Sequence, residues 1–482
     1  MSRRVVGPFN RVEGDLEVQL EIEEGTVCSA RVISPLYRGF EQMLHGKDPR
    51  DALVYAPRIC GICSVAQSVA AATALADAQA IEVPLNGQLV MNLVLATENV
   101  ADHLTHFFLF FMPDFVREAY QKQDWYTKSA QRYRATTGEA MQQVLPVRAA
   151  FMHLMGLLAG KWPHSLCIQP GGTTRALEAH EVVRLLNTIR GFRQFLETTL
   201  FGDSLENLLA IQNESQLQQW FEQDSPHSSD LRFFLHLSNV LQLDQLGRAP
   251  TRFMSNGVYS LQGEDLFSRG VWHNGLQELD TSAISEDVSH SWYLQQDSPK
   301  HPFDGSTLAD ADAADSYSWC KAPRLAGEVV EVGALARQVV DGLPLMRDLV
   351  SRSGSNVRNR VLARLFEMAR VVMEMESWAT AIVARQPFCT TKAIPDEAEG
   401  QGLIEAARGS LGHWLRIKKG RILNYQIIAP TTWNFSPRDQ LGVPGALEQA
   451  LVGAPVRDDE DEPVAVQHIV RSFDPCMVCT VH

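Results

Sequence analysis

The chain has 482 residues, 45% hydrophobic and 21% charged, with a formal net charge of -14. Length and balance fit a folded protein with a large core, not a disordered one. The acidic excess argues against a nucleic-acid surface, which must displace counterions with basic patches, and against docking on an anionic membrane.

Near the N-terminus, Met1-Ser2-Arg3-Arg4 is followed by Gly7, Pro8, Asn10 and Arg11 rather than by an apolar stretch. No secretory leader is expected, and the chain is read as cytoplasmic unless a partner carries it out. Leu16, Val18, Leu20 and Ile22 alternate with polar residues, Gly25 turns the chain, and Val27 to Val32 repeats the alternation. This predicts a β-hairpin. The alanine-rich run from Ser64 to Gln79 opens a helical region. Apolar residues recur at helical spacing over 87–112, 176–201, 329–350 and 357–384. The longest apolar run, Phe107 to Met112, falls far short of the ~20 residues that span a bilayer. Segments 223–230 and 297–315, rich in Asp, Ser, Pro and Gly, read as loops. A second hairpin is predicted over 414–428, turning at Lys418-Lys419-Gly420-Arg421, and the acids from Asp458 to Glu462 read as a solvated loop. The expected fold is mainly α (α+β): a long-helix bundle core with small β-hairpins or sheets near the N- and C-termini. One domain is expected over 1–482, with a hairpin region over about 1–50, a helical core over about 60–410 and a C-terminal hairpin and metal-binding tail over about 411–482.

Several chemistries lack their motifs. There is no Gly-x-Gly-x-x-Gly after a strand, no P-loop and no Gly-x-Ser-x-Gly. His180-Glu181 opens like a zinc-protease motif, but Arg184 stands where the second His is required.

Eight cysteines are present. Without a leader, a disulfide framework is not expected in a chain of this size. Cys28, Cys167, Cys320 and Cys389 read as small buried apolar residues. The others form two Cys-x-x-Cys pairs, Cys60/Cys63 and Cys476/Cys479, one near each end. Two intervening residues let both sulfurs converge on one metal, and a helix starting just after Cys63 favours thiolate. Zinc ribbons separate their pairs by roughly 15–20 residues; here the gap is about 410. Closing that loop costs on the order of 5 kcal/mol, against the ~10–16 kcal/mol a structural metal supplies. Thiolates select nickel, iron, zinc or copper(I) over hard cations, and spacing alone leaves these open.

The flanking segments narrow the choice. Arg11-Val12-Glu13-Gly14, Arg38-Gly39-Phe40-Glu41, Arg58 through Cys63, Asp102-His103 with His106, Pro170-Gly171-Gly172, Lys321 through Arg324, Arg408-Gly409 with His413-Trp414, and Asp474 through His482 occur in this order. They resemble the large subunit of nickel–iron hydrogenases over nearly the whole chain. The resemblance implies a Ni–Fe(CN)2(CO) centre. Cys60 and Cys476 would be terminal nickel ligands, and Cys63 and Cys479 would bridge nickel to iron. It implies H2 as substrate, with the Cys476 thiolate as base, Arg408 orienting H2, and Glu13 taking the proton onward. Asp102 and Asp474 would be acids beside Arg408. A magnesium or similar ion would sit on Glu41, His482 and the Ile427 carbonyl; the alternative for Glu41 is an ion pair with Arg38. His103, His106 and His413 are expected to be structural. Because the chain has no spare cysteine cluster, the iron–sulfur clusters are expected only in an obligate small subunit. Maturation proteins are implied as further partners.

Three departures point to the H2-sensing, regulatory type within that family. Gln67 stands where most members have His, and it can donate a hydrogen bond but cannot change charge near neutral pH. Ile62 and Phe110 occupy gas-route positions where Val and Leu are usual, which implies a narrower channel. Ala407 replaces the usual proline before Arg408, with no functional consequence assigned. Most family precursors continue beyond the residue matching His482, so this is read as a mature chain or one encoded without an extension. The expected activity is that of a slow hydrogenase signalling H2 to a partner histidine kinase. The alternative is an uptake hydrogenase feeding quinone or cytochrome. A non-catalytic homologue, such as the related subunit of respiratory complex I, is disfavoured by four intact cysteines.

Overall fold

The computed structural model describes residues 2–457, 460 and 462–482. Of the acids predicted to form a solvated loop, Asp458, Asp459 and Asp461 lie outside the described residues, and Glu462 is exposed.

The predicted N-terminal hairpin is present as strands Glu17–Glu23 and Thr26–Ile33. A third strand, Ser2–Val6, pairs antiparallel with the first, Ser2 opposite Ile22 and Val6 opposite Val18. The predicted C-terminal hairpin is likewise two-thirds of a sheet, formed by Glu397–Ala406, Gly409–Lys418 and Arg421–Ile428 in that order. On this sheet lies the alanine-rich helix, whose observed bounds are Ser64–Gln79. The two approach so closely that a Cβ on Gly402 would sit 1.9 Å from the Ala70 carbonyl oxygen, and one on Gly400 2.1 Å from that of Ala74. Small residues on both elements are what this packing demands.

Between the sheets run long helices. Leu85–Thr105 continues into a π-helical turn at His106–Phe111, and Ala179–Phe195 into another at Leu196–Phe201. Val357–Ala381 is buried over most of its length, including Arg360, Arg364 and Glu367. The helix expected over 329–350 is instead divided. Glu331 exchanges extended backbone bonds with Arg252 and Met254, and helices Ala334–Asp341 and Pro344–Ser353 are separated at Gly342, whose φ is 88°. Proline as the first residue of the second helix fits its position, since its missing N–H has no intrahelical partner there. The helix Glu139–Ala159 was not foreseen, because Pro146 lies inside it. Nor was the hairpin of Phe253–Leu261 and Glu264–Trp272.

One buried apolar cluster runs from Val6 to Cys479, and a smaller one gathers around Met254, Trp414 and Trp433. The expectation that the unpaired cysteines are buried holds for Cys167 and Cys320. It fails for Cys28, which is exposed, and for Cys389, which is partly so. The period-2 alternation of Thr26–Ile33 turns Val27 inward and Cys28 outward. No helix among the described residues is long and apolar enough to cross a membrane.

Candidate metal centre

The two Cys-x-x-Cys pairs meet because the chain ends are stitched together. The Glu13 N–H donates to the Pro475 carbonyl (3.3 Å) and the Met477 N–H to the Glu13 carbonyl (2.7 Å), a parallel bridge between Glu13 and Cys476. Cys63 caps the Ser64–Gln79 helix, and Cys479 sits in the short helix Met477–Thr480. Cys476 is presented by a turn at Asp474, whose φ is 59°. Arg364 fixes the helix end before that turn, donating to the carbonyls of Ser472 (2.7 Å) and Phe473 (2.9 Å). The Cys476 N–H donates to Thr431 Oγ1 at 3.0 Å.

All four sulfurs are buried and lie within 4.8 Å of one another. Cys476 Sγ is 2.8 Å from that of Cys479 and 3.5 Å from that of Cys60, and Cys63 and Cys479 are 3.0 Å apart. Hydrogen bonds from the other sulfurs hold Cys60 well below its ordinary range and push Cys63 well above it. Burial pushes Cys476 and Cys479 up. Four thiols this close cannot all ionise without a cation among them, so this donor set fits a soft divalent metal and not a hard one.

Arg408 occupies the two-residue turn between Glu397–Ala406 and Gly409–Lys418, yet is 4% exposed. Its guanidinium donates to Asp102 (2.5 and 3.2 Å) and to Asp474 Oδ1 (3.1 Å), and its Nε donates to the Asp474 carbonyl at 2.8 Å. Burial, opposed by Arg408 but helped by the charge of Asp474, pushes Asp102 up to about 7. Asp474, despite equal burial, is held below its usual range by Arg408. The cation lies near enough to Cys60, Cys63 and Cys476 to interact with their charge. The turn is clamped from behind by Arg337, which donates to the carbonyls of Ala406 (2.8 Å) and Ala407 (2.9 Å). Glu13 is half-buried, and burial together with the charge of Cys60 raises its pKa.

Glu41 and His482 also come together, with Glu41 Oε1 3.2 Å from His482 Nε2. Ile427 is at the same place, its N–H donating to Glu41 Oε1 at 2.7 Å. Glu41's cation is Lys321 (3.6 Å) and not Arg38, which donates instead to the carbonyls of Ile59 and Val478. Although burial opposes it, Lys321 and His482 hold Glu41 at about 2, so the carboxylate stays anionic. The histidines read as structural do make structural bonds: His103 to Glu367 (3.1 Å) and His106 to the Arg471 carbonyl (2.6 Å). His413 lies between Tyr425 and Gln67, and burial keeps it neutral, its pKa lowered to about 3. Ile62 and Phe110 are partly buried, and the Phe110 carbonyl accepts from Arg11 at 2.9 Å.

Residues the sequence did not single out complete the site. Glu98 is fully buried against the first turn of the Ser64–Gln79 helix. It accepts from the N–H groups of Val65 and Ala66 (2.9 Å each) and from Trp162 Nε1 (2.8 Å). Lys321 bridges Glu41, Glu286 (3.1 Å) and Gln426 (2.9 Å). Only Lys321 had a signal, its place in a matched motif.

The chain matches the family described as nickel-dependent hydrogenase over residues 38–139 and 117–482. It is 30% identical to the periplasmic NiFeSe hydrogenase large subunit of Desulfomicrobium baculatum, covering 99% of this chain and 94% of that one. To the hydrogenase-2 large chain of Escherichia coli K12 it is 28% identical, covering 100% and 97%. The as-isolated oxidised NiFeSe hydrogenase of D. vulgaris Hildenborough superposes with a TM-score of 0.86 at 30% identity, covering 100% of both chains.

Proposed function

The chain belongs to the nickel-dependent hydrogenase family as a large subunit, and we propose that it serves a regulatory hydrogenase, cleaving H2 slowly in order to report it. Cys60, Cys63, Cys476 and Cys479 would hold a Ni–Fe(CN)2(CO) centre, which would supply the Lewis acidity that polarises H2 and take up its electron pair. The Cys476 sulfur, fully buried and shielded from water, accepts the proton. Arg408, fixed as a cation between two carboxylates, orients H2. Glu13, joined to Cys476 through the backbone and with its pKa raised by burial, takes the proton from sulfur and passes it outward. Asp102 and Asp474 hold Arg408 in place. Glu41, His482 and the Ile427 carbonyl would hold a magnesium or similar ion.

The observation that carries the regulatory reading is Gln67. It is 0% exposed, one turn past Cys63, and offers a donor that stays uncharged. Ile62 and Phe110 narrow the gas route. In this reading the electrons leave through an iron–sulfur small subunit in a cytoplasmic heterodimer, maturation proteins insert the centre, and a histidine kinase reads the state. Relatives named uptake hydrogenase and quinone-reactive hydrogenase favour a second reading, an uptake enzyme, which would feed quinone or cytochrome. Turnover of the native complex separates the two. Slow H2 oxidation that survives O2 supports sensing, and fast H2-dependent quinone reduction would refute it.

A further inference from the structure

Gln67 donates its backbone N–H to the Cys63 carbonyl at 3.1 Å, so the two residues share one face of the helix. Helical side chains lean over the preceding turn, which carries the Gln67 amide back towards Cys63. Its Oε1 lies 2.8 Å from His413 Nε2, and His413 Nδ1 lies 2.7 Å from the Tyr425 hydroxyl. None of the three residues is more than 2% exposed. Gln67 Nε2 has no partner among the described residues.

The hydroxyl fixes the direction of this chain of bonds. Among the described residues Tyr425 Oη meets only His413 Nδ1, and a buried hydroxyl proton needs an acceptor. Nδ1 therefore accepts, the neutral ring carries its proton on Nε2, and Nε2 donates to Gln67 Oε1. The reverse direction would strand the Tyr425 proton and turn the amide oxygen towards anionic sulfurs. We infer that Tyr425 and His413 are positioning residues that lock the Gln67 amide with its N–H2 turned to the cysteine cluster. The amide donor, unpartnered within the described residues, is thus kept free for the bound centre, its direction set two residues away. This rests on the reading of the four cysteines as ligands of the nickel–iron centre.

The test uses the intact heterodimer, with nickel content and the infrared bands of the iron-bound CO and CN as readouts. Gln67→Leu defines the band shift caused by losing the donor. Tyr425→Phe should retain nickel and move the CO band in the same direction by at least half as much. It should add nothing when combined with Gln67→Leu, because the two act through one bond. Unmoved bands in Tyr425→Phe, or an equal shift in both backgrounds, overturns the inference. If Tyr425→Phe does not load nickel, His413→Gln, which keeps a donor towards Oε1, should stay near the wild-type bands while His413→Leu shifts. Equal shifts in that pair overturn it too. A wild-type complex without CO and CN bands overturns the centre itself, and the inference with it.

Discussion

Arg337→Met removes a cation on which the Arg408 turn depends. Arg337 is fully buried, and all five of its N–H groups are used. They donate to Glu367 (2.7 and 2.8 Å), Glu405 (2.9 Å) and the carbonyls of Ala406 and Ala407 (2.8 and 2.9 Å). Met has a similar reach but no donor, so two buried carboxylates lose their counter-ion. Breaking one side of a buried ion pair costs about 3–5 kcal/mol. With roughly 2.1 cal/mol/K of unfolding entropy per residue, a chain of this length has about 1 kcal/mol/K, so the melting temperature should fall by about 3–5 °C.

The pH dependence gives this prediction a second handle. Glu367, although buried, is held at about 2 by Arg337 and His103. Its folded pKa lies below the unfolded value, so its contribution is present above about pH 4 and lost only towards about pH 2. Without Arg337, burial dominates and that pKa rises above the unfolded value. The variant then loses stability as pH increases from about 5 to 8. Calorimetry of the anaerobic complex at both ends of that range measures the effect. A melting temperature within about 1 °C of wild type at both pH values would refute the reasoning.

Glu13→Gln should retain nickel but lower H2/D+ exchange by about a hundredfold or more, as followed by mass spectrometry; undiminished exchange removes Glu13 from the proton route. Burial pushes Glu98 up to about 8, well above its unfolded value, so the folded chain holds this proton longer. Wild-type stability should therefore decline as pH rises from about 4 to 8, and Glu98→Gln should lack that part of the decline; melting curves that move in parallel would count against it. Gly402→Ala places a methyl group against the Ala70 carbonyl and should cost about 1–3 kcal/mol in thermal melts. An unchanged melting temperature would mean the alanine helix is not seated there.

What the sequence revealed followed the strength of local periodicity. Leu16, Val18 and Leu20 alternate cleanly, and each is 0% exposed, Leu16 just before the strand and the other two on the sheet they predict. The partner strand Ser2–Val6 buries only Val6 and carries two arginines, so it offered no alternation to read. In Glu397–Ala406, Gly400 and Gly402 look like strand breakers until the alanine helix above them is known. The four cysteines were legible through spacing and flanking motifs. The stitch of Glu13 to Pro475 and Met477 that brings them together was not, because it runs through backbone atoms that every residue carries. Arg337 and Glu98 read in sequence as ordinary charges, and Lys321 only as one residue of a matched motif, whereas burial makes all three partners of the site.

The central claim, that Cys60, Cys63, Cys476 and Cys479 hold nickel beside iron, is tested most directly by X-ray absorption at the nickel edge of the purified heterodimer. The expected spectrum is a nickel shell dominated by sulfur with an iron atom behind it, losing sulfur in Cys476→Ser. Nickel surrounded by nitrogen and oxygen, or zinc in its place, would contradict the account.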